Sequence, residues 1–374
     1  ILSALQYVEV RNFEVTNKSE YEASRKGVYV TSGGQESAGV YREGGMYNHI
    51  YLINLDIHDV STNPGERWSG GIVFISALAK SPAAFNDVLV QGCTIKGTEG
   101  NGITFSSDYN NRTGVSWGAA DYFPSTNVTL RNNFITDCAG DGIYLNCTNG
   151  SKIEYNTVTN TSYVDGPYAG IWPHNSTDCV MQYNEAYDVK KVGGDGQGFD
   201  VDINCERTVV QYNYSHDNEG GFMLICSVSN QPDYESFNRN SIIRYNISQN
   251  DRNRIFQIHS SGTQGTQIYN NTIYIGEGLS PKIYDFDTFR HPGTVYSYNN
   301  IFYNMGNGTY SYGLQNYHVF EHNLFYGNHP FSEPNDPYKV TADPKLAAPG
   351  TGGIGWDTTT GYQLTAGSAA INAG

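Results

Sequence analysis

The chain reads Glu154-Tyr155-Asn156-Thr157-Val158 at one point, and close variants of this phrase return before and after it. Looser versions occur earlier, at residues 10–15, 52–57 and 90–95, where the intervening loops are longer. The asparagine of the phrase recurs at intervals of roughly 23–33 residues, at Asn133, Asn156, Asn184, Asn213, Asn246, Asn271, Asn300 and Asn323. Self-similarity at this spacing indicates an architecture of stacked repeats.

The segments around each phrase are short and rich in β-branched and aromatic residues, as at 128–131, 142–146 and 209–212. Such runs, separated by Gly, Asn and Asp, predict strands of about three to five residues. No segment keeps an apolar period of 3.6 residues, which argues against a helical solenoid. Short strands at this repeat length predict a right-handed parallel β-helix.

The recurrent asparagine fits such a fold in two ways. Stacked in successive coils about 4.8 Å apart, the side-chain amides can hydrogen-bond to one another along the axis. Alternatively, asparagine is used because it tolerates a left-handed turn. Both interpretations favour an all-β protein, a single right-handed parallel β-helix solenoid of about 10–11 coils with an Asn ladder. We expect one domain over 1–374, with long loops in 1–130, regular coils in 131–330 and a closing segment in 331–374.

The repeated Asn phrase and the tail at residues 362–374 resemble the pectin-lyase-like superfamily of right-handed parallel β-helices. The resemblance covers roughly the whole chain. It implies the fold and an enzyme that acts on carbohydrate, since the superfamily includes polysaccharide lyases and glycoside hydrolases. It does not imply a particular reaction, because one fold hosts many chemistries.

Composition limits the partners. Asp and Glu number 37 against 22 Lys and Arg, a net charge of −15, which argues against nucleic acid or anionic lipid as the partner. The absence of an apolar run of about 18 residues argues against a membrane span. Few charges with 42 Gly and 30 Tyr are typical of a secreted β-protein, and the start at Ile1 suggests a processed chain. We expect a secreted monomer whose six cysteines include buried thiols.

An outward-facing column follows when the coils are aligned on the strand after each glycine, at 102–106, 142–146, 170–174, 198–202 and 221–225, and continued through 254–258 and 282–286. The second and fourth residues are mostly apolar and predicted to point inward, so the third and fifth point outward. The predicted outer residues are Thr104, Tyr144, Trp172, Asp200, Met223, Phe256 and Tyr284, beside Ser106, Asn146, His174, Asp202, Ile225, Ile258 and Phe286.

Aromatic residues in that column predict a sugar-binding groove, because aromatic rings offer an apolar face to pyranose rings. The predicted substrate-binding residues are Tyr144, Asn146, Trp172, His174, Arg254 and Phe256. The loop at 108–125, with Trp117, Tyr122 and Phe123, is a candidate wall of the groove. Three arginines, Arg252, Arg254 and Arg290, are candidates for holding a substrate carboxylate.

Carboxylates beside the aromatic residues predict glycoside hydrolysis, in which one carboxyl protonates the leaving oxygen and another attacks or activates water. Asp200 and Asp202 stand on one face of a predicted strand, about 6–7 Å apart, although Asp disfavours strands. Glu219 precedes the next strand. We therefore predict Asp200, Asp202 and Glu219 as the catalytic set of a hydrolase that needs no cofactor and acts on a polysaccharide or oligosaccharide.

Two other functions remain open. A polysaccharide lyase of the same superfamily resembles a calcium site next to a basic residue, and Asp195, Asp200, Asp202 and Asp217 offer oxygen ligands for Ca²⁺. No lysine stands in the outward columns beside them, which places the lyase second. A non-catalytic glycan-binding β-helix is the third possibility.

Overall fold

The computed structural model describes residues 1–21, 23–64, 66–112, 117–227, 236–259, 262–287, 293–312 and 318–373. Over these residues the chain winds through three long parallel sheets, and each coil adds one strand to each sheet. The main path through each sheet has eleven strands, so eleven coils stack. This confirms the predicted all-β solenoid and its number of coils.

The strand bounds define the three sheets. The first sheet contains Leu2–Ser3, Lys26–Thr31, Gly70–Ser76, Asn101–Ser107, Ile143–Asn146, Ile171–His174, Gln197–Val201, Gly221–Ile225, Arg254–His259, Lys282–Asp287 and Thr309–Tyr312. The second contains Val8–Arg11, Gly45–Ile53, Ala83–Gln91, Ser125–Arg131, Lys152–Glu154, Val180–Gln182, Val209–Gln211, Ile242–Arg244, Thr266–Tyr269, Val295–Tyr298 and His318–Glu321, with Thr148–Asn149 alongside. The third contains Glu14–Asn17, Asp56–Val60, Thr94–Thr98, Phe134–Cys138, Thr157–Thr161, Glu185–Tyr187, Tyr214–His216, Ile247–Gln249, Thr272–Ile275, Ile301–Asn304 and Leu324–Gly327.

Smaller elements complete the fold. Cys205–Glu206, Asn238–Arg239 and Thr263–Gln264 form a three-stranded sheet, and Gln35–Ser37 pairs with Val40–Tyr41. A 3₁₀ helix spans Trp356–Tyr362. In the part of the chain that the structure describes, no helix has the length and apolar character needed to cross a membrane.

The predicted Asn ladder is present and buried. Each amide nitrogen donates to the side-chain oxygen of the next asparagine at 2.9–3.0 Å, through Asn133, Asn156, Asn184, Asn213, Asn246, Asn271, Asn300 and Asn323. The last member donates to the Asp336 carboxylate at 2.9 Å. Hydrogen bonding of this kind fixes the register of successive coils, because each amide has its partners only in the stacked arrangement.

The left-handed turn falls on the residue before each ladder asparagine rather than on the asparagine itself. Four of these residues are tyrosines, Tyr155, Tyr183, Tyr212 and Tyr245, with φ between 54° and 56°. This conformation is uncommon for a bulky side chain. The four rings stack in succession, with centroids 4.9, 5.2 and 5.1 Å apart, and this stacking offsets part of the backbone cost.

The core is one continuous cluster of buried side chains that extends through the coils from Val30 to Phe325. Cys93, Cys138, Cys147, Cys179 and Cys205 lie in this cluster or beside it as buried thiols. Because burial disfavours the thiolate, the pKa of the Cys138 thiol is raised to about 12. The thiols therefore act as small apolar side chains.

The residues after the last coil fold back onto the third sheet. The Gln249 amide both donates to and accepts from the backbone of Gly352, at 3.0 and 2.9 Å. The hydroxyl of Tyr362 donates to the same amide oxygen at 2.7 Å. Glu185, two coils earlier, accepts the backbone N–H of Gly355 at 2.6 Å. The closing segment thus fastens to the face made by the third sheet.

Candidate functional site

The outward column of the first sheet follows the predicted register only as far as Asp202. Tyr144 pairs with Trp172, and Asn146 pairs with His174. Beyond that point the alignment on glycine is wrong by one residue, because Gly221 pairs with Gln197 rather than with Gly198. The outward residues of the following coils are therefore Leu224, Gln257 and Asp285 in register with Asp200.

Because of this one-residue offset, six residues that were predicted to face outward lie in the core: Met223, Ile225, Phe256, Ile258, Tyr284 and Phe286. The prediction that Phe256 binds substrate is wrong. Its side chain is fully buried, and its ring stacks on Tyr284 with centroids 4.8 Å apart. Leu224, which replaces Met223 in the outward column, is also nearly covered.

A cleft of about 810 Å³ lies over the correctly aligned part of the column. Its lining is mainly aromatic and polar, and consists of Arg67, Trp68, Ile75, Ser106, Ser107, Asp108, Asn110, Trp117, Tyr144, Asn146, Pro167, Tyr168, His174, Asp202 and Ile203. This size falls within the range of small-molecule sites, roughly 300–1,000 Å³.

The aromatic wall consists of Tyr144, which lines the cleft, and of Trp172, which packs against Tyr144 but is not itself in the lining, and it is more deeply covered than a bare surface stripe would be. Tyr144 and Trp172 lie with ring centroids 4.5 Å apart and expose only 3% of their surface each. Trp117, from the predicted wall loop, stacks on His174 with centroids 5.2 Å apart and planes 18° apart. The loop therefore does form one side of the cleft through Trp117. Tyr122 and Phe123 from the same loop do not line it.

Polar atoms on the cleft floor lack partners. The Asn146 amide donates to the Tyr144 hydroxyl at 2.7 Å, whereas its oxygen has no hydrogen-bond partner among the described residues. Nδ1 of His174 also has none in that part of the chain. Burial, assisted by the positive charge of Arg67, lowers the pKa of His174 to about 3, so its imidazole is neutral at ordinary pH. A substrate hydroxyl or amide can supply the missing hydrogen bonds.

Two residues that the sequence did not reveal organise the wall. Asp141 is fully buried, and its Oδ1 accepts the Trp172 indole N–H at 2.9 Å and the Ala169 backbone N–H at 3.0 Å. Nε of Arg67 lies 3.3 Å from the other oxygen of Asp141. In the sequence, Asp141 stands between two glycines, a setting that is typical of turns. Arg67 comes from a long connection that the repeat pattern does not cover.

Three aspartates from one coil form an electrostatic cluster beside this wall. Asp202 lines the cleft, and Asp200 stands two residues earlier with 3% exposure. Burial, together with the charges of Asp202 and Asp195, raises the pKa of Asp200 well above its usual range. Burial also raises the pKa of Asp202 to about 6, although a backbone hydrogen bond from Ile203 opposes the rise. Burial likewise raises the pKa of Asp195.

Both aspartates therefore hold their protons more tightly than an exposed carboxyl does. Burial raises the pKa of Asp202 to about 6, and for Asp200 the charges of Asp202 and Asp195 add to the effect of burial. A neutral carboxylic acid beside a carboxylate is the combination that acid–base catalysis of glycosidic cleavage requires. The Oδ1 atom of Asp200 has no hydrogen-bond partner within the described ranges.

Other predicted site residues lie elsewhere. Glu219 is not in the cleft lining; its carboxylate accepts the backbone N–H of Lys191 at 3.0 Å and lies 3.6 Å from Nζ of Lys190. Arg254 donates to the carbonyl of Gly194 at 2.6 Å and acts on Asp195 rather than on the cleft. Arg252 is exposed. Arg290 lies outside the described residues.

The predicted calcium ligands do not converge. Asp217 is bound to Nδ1 of His216 at 2.9 Å, at the end of a strand of the third sheet. Nowhere in the described ranges do three or more His, Cys, Asp or Glu side chains form a group that could hold a metal ion. The positive charge that acts on Asp202 is that of Arg67, a side chain of the protein itself.

Comparisons with known proteins agree with this architecture. A family model described as "Right handed beta helix region" matches residues 6–233. The lacto-N-biosidase of Bifidobacterium longum subsp. longum is 30% identical over 401 aligned positions, covering 90% of this chain and 24% of that protein. The chain thus spans about a quarter of the length of its curated relative.

Solved structures show the same fold. The GH136 lacto-N-biosidase from Eubacterium ramulus matches with a TM-score of 0.63 and 24% identity, over 80% of this chain and 50% of that one. The mannuronan C-5 epimerase AlgE6 A-module of Azotobacter vinelandii matches with a TM-score of 0.51 and 16% identity, over 90% and 91% of the two chains. Because the family model matches more than half of its residues, the chain belongs to the right-handed β-helix family.

Proposed function

We propose that this chain hydrolyses glycosidic bonds of an oligosaccharide bound in the 810 Å³ cleft. The observation that carries the proposal is the placement of Asp202 at the cleft, two residues after the buried Asp200, where burial raises the pKa of both carboxyls. The exposed rings of Trp68 and Trp117 in the cleft lining provide faces for pyranose rings. The 30% identical relative is a glycosidase by name, which supports the same reaction class.

In the proposed reaction, a protonated carboxyl donates its proton to the glycosidic oxygen as the bond from that oxygen to the anomeric carbon breaks. The Asp202 carboxylate either attacks the anomeric carbon or removes a proton from the attacking water. Water supplies the hydroxyl of the new reducing end. Strand alternation favours Asp200 as the proton donor because it shares a face with Asp202. Asp195, which is less buried, is a further carboxyl of the same coil whose pKa burial raises.

The name of the curated relative suggests the first substrate to test, an aryl lacto-N-bioside. We also propose that the protein acts outside the cell as a monomer and needs no cofactor. Detection of the protein in culture supernatant and a monomer mass in light scattering would support the first two points. Unchanged turnover after dialysis against EDTA would support the third.

Substitution of the carboxyls tests the catalytic assignment. We expect D202N to lose at least about 10²-fold in kcat/KM on every substrate, because positioned acid or base groups contribute about 10²–10⁴-fold. The variant that lacks the proton donor, D200N or D195N, should recover on a substrate whose aryl leaving group is strongly acidic. Such a leaving group departs without protonation.

The matched control is D285N. Asp285 occupies the same outward column three coils beyond Asp200, and its carboxylate pairs with Nζ of Lys282 at 2.9 Å. D285N should keep wild-type turnover. Equal activity of D202N and D285N would overturn the assignment. Products that carry a conjugated unsaturated uronide would identify a lyase, and glycan binding without turnover in the wild type would identify a binding module.

A further inference from the structure

Arg67 reaches the cleft from the connection before the strand Gly70–Ser76 and is held from several sides. One terminal nitrogen donates to the carbonyl of Pro167 at 2.6 Å, and Nε lies 3.3 Å from Oδ2 of Asp141. The guanidinium carbon lies 5.2 and 4.9 Å from the ring centres of Tyr144 and Trp172. These contacts leave the planar guanidinium a single orientation.

The same contacts tie the arginine to the aromatic wall. Asp141, its ion-pair partner, also accepts the indole N–H of Trp172 at 2.9 Å. A second amide, from Asn101, donates to the oxygen of Asp141 that faces Arg67, at 3.3 Å. Asp141 is fully buried, and a buried carboxylate needs partners of this kind to remain in place. Arg67, Asp141 and Trp172 therefore form one rigid unit.

We propose that Arg67 is a positioning residue of the cleft: clamped by Asp141, it fixes the Tyr144–Trp172 wall and supplies a positive charge to the cleft that the Asp202 carboxylate lines. The inference rests on the proposed hydrolase function, since it assigns Arg67 a role in that same site. Arg67 acts through the orientation of the rings and through its charge.

The charge part of this role follows from the surroundings. Arg67 and Asp202 line the same cleft. The positive charge of Arg67 lowers the pKa of Asp200 and of Asp202, against the larger effect of burial. Asp141, Tyr144, Asp195, Cys205 and Cys226 also interact with these two aspartates, and His174 lines the same cleft. None of these groups is a cation at neutral pH, since His174 is neutral. The positive charges of Arg254, His259 and Lys191 act on Asp195.

Removal of the Arg67 charge should shift the pH dependence of kcat/KM to higher pH. In R67M, both Asp202 and its protonated neighbour should bind protons more tightly, so both limbs of the bell-shaped kcat/KM profile should shift to higher pH. A neighbouring opposite charge changes a carboxyl pKa by about 1–3 units, and we expect a shift of about one pH unit. R67K keeps a positive charge but cannot stack on the rings or donate two parallel hydrogen bonds. It should therefore restore the pH profile more fully than it restores KM.

A measurement without substrate separates this inference from the proposed function. Wild-type protein should lose stability relative to D202N as pH rises from 3.8 to about 6, because the folded state resists ionisation of Asp202. The pH at which this loss of stability is complete reports the pKa of Asp202 in the folded protein. In the R67M background that pH should be higher by about one unit. The matched control is R244M, which removes an arginine that packs on Tyr245 and Tyr269 in the second sheet.

The outcomes are distinct. A shift in R67M but not in R244M supports the inference, and a parallel shift of both limbs of the activity profile completes it. An unshifted titration in R67M overturns the inference, whatever the activity. A shifted titration in a protein that cleaves no glycoside supports the charge role of Arg67 and rejects the proposed hydrolase function.

Discussion

Asn213 offers a direct measure of what the buried ladder contributes to stability. Its Nδ2 donates to Asn246 Oδ1 and to the carbonyl of Met181, each at 3.0 Å. Its Oδ1 accepts from the backbone N–H and the side-chain amide of Asn184, at 2.9 and 3.0 Å. N213A removes all four hydrogen bonds. At about 1 kcal/mol each, their loss should lower the free energy of unfolding by about 4 kcal/mol.

Chemical denaturation in urea, followed by circular dichroism and by tryptophan fluorescence, gives the measurement. Both probes are needed because a solenoid can unfold in stages, and only coincident transitions justify a single free energy. The matched control is N86A. Asn86 also bridges neighbouring coils: its amide donates to Asn48 and accepts from Thr126 and Asn127, each at 2.8 Å, but it is partly exposed, so water can replace the lost partners. We expect N86A to cost less than about 1 kcal/mol. Equal effects of N213A and N86A would refute the argument.

Three further predictions concern His216 in the third sheet, Trp117 at the cleft and Phe256 in the core. Although burial opposes it, hydrogen bonds to Asp217 and Glu185 raise the pKa of His216 to about 9 from 6.5, so its stabilising effect is complete below pH 6.5 and is lost as pH rises through 9. Thermal unfolding of wild type and H216Q should differ most at pH 6 and converge near pH 10; a constant difference would contradict this. W117A should raise KM more than it lowers kcat, because it removes a cleft wall, and an unchanged KM would exclude that wall from substrate binding. F256A should cost about 3–5 kcal/mol of stability, seen in urea unfolding, with kcat/KM of the folded protein unchanged, whereas a binding role would reverse that pattern.

The sequence predicts the fold because the ladder repeats a local rule in eight of the eleven coils. A buried amide between two others leaves the same short phrase wherever it occurs, and the resulting spacing identifies the solenoid. The coil around Asn156 and the coil around Asn300 can be recognised separately. No long-range information is needed for this part.

The site is less accessible to prediction because it depends on register and on long connections. Alignment on glycine succeeded through Gly198 and failed at Gly221, whose φ of 130° places it one residue earlier in the strand pairing. Both segments read as glycine followed by phenylalanine, so their pattern does not distinguish them. Arg67 and Asp141 meet across more than one coil, and no local motif connects them.

The final partner in the ladder, Asp336, differs in kind from the asparagines that precede it. Its carboxylate accepts backbone and side-chain N–H groups of Asn323 at 2.8 and 2.9 Å, and the N–H groups of His322 and Tyr338 at 3.0 Å. A carboxylate receives such bonds but passes none onward. The row of side-chain amides therefore ends at Asp336. Its carboxylate offers no donor through which a second molecule, stacked end to end, could extend the ladder.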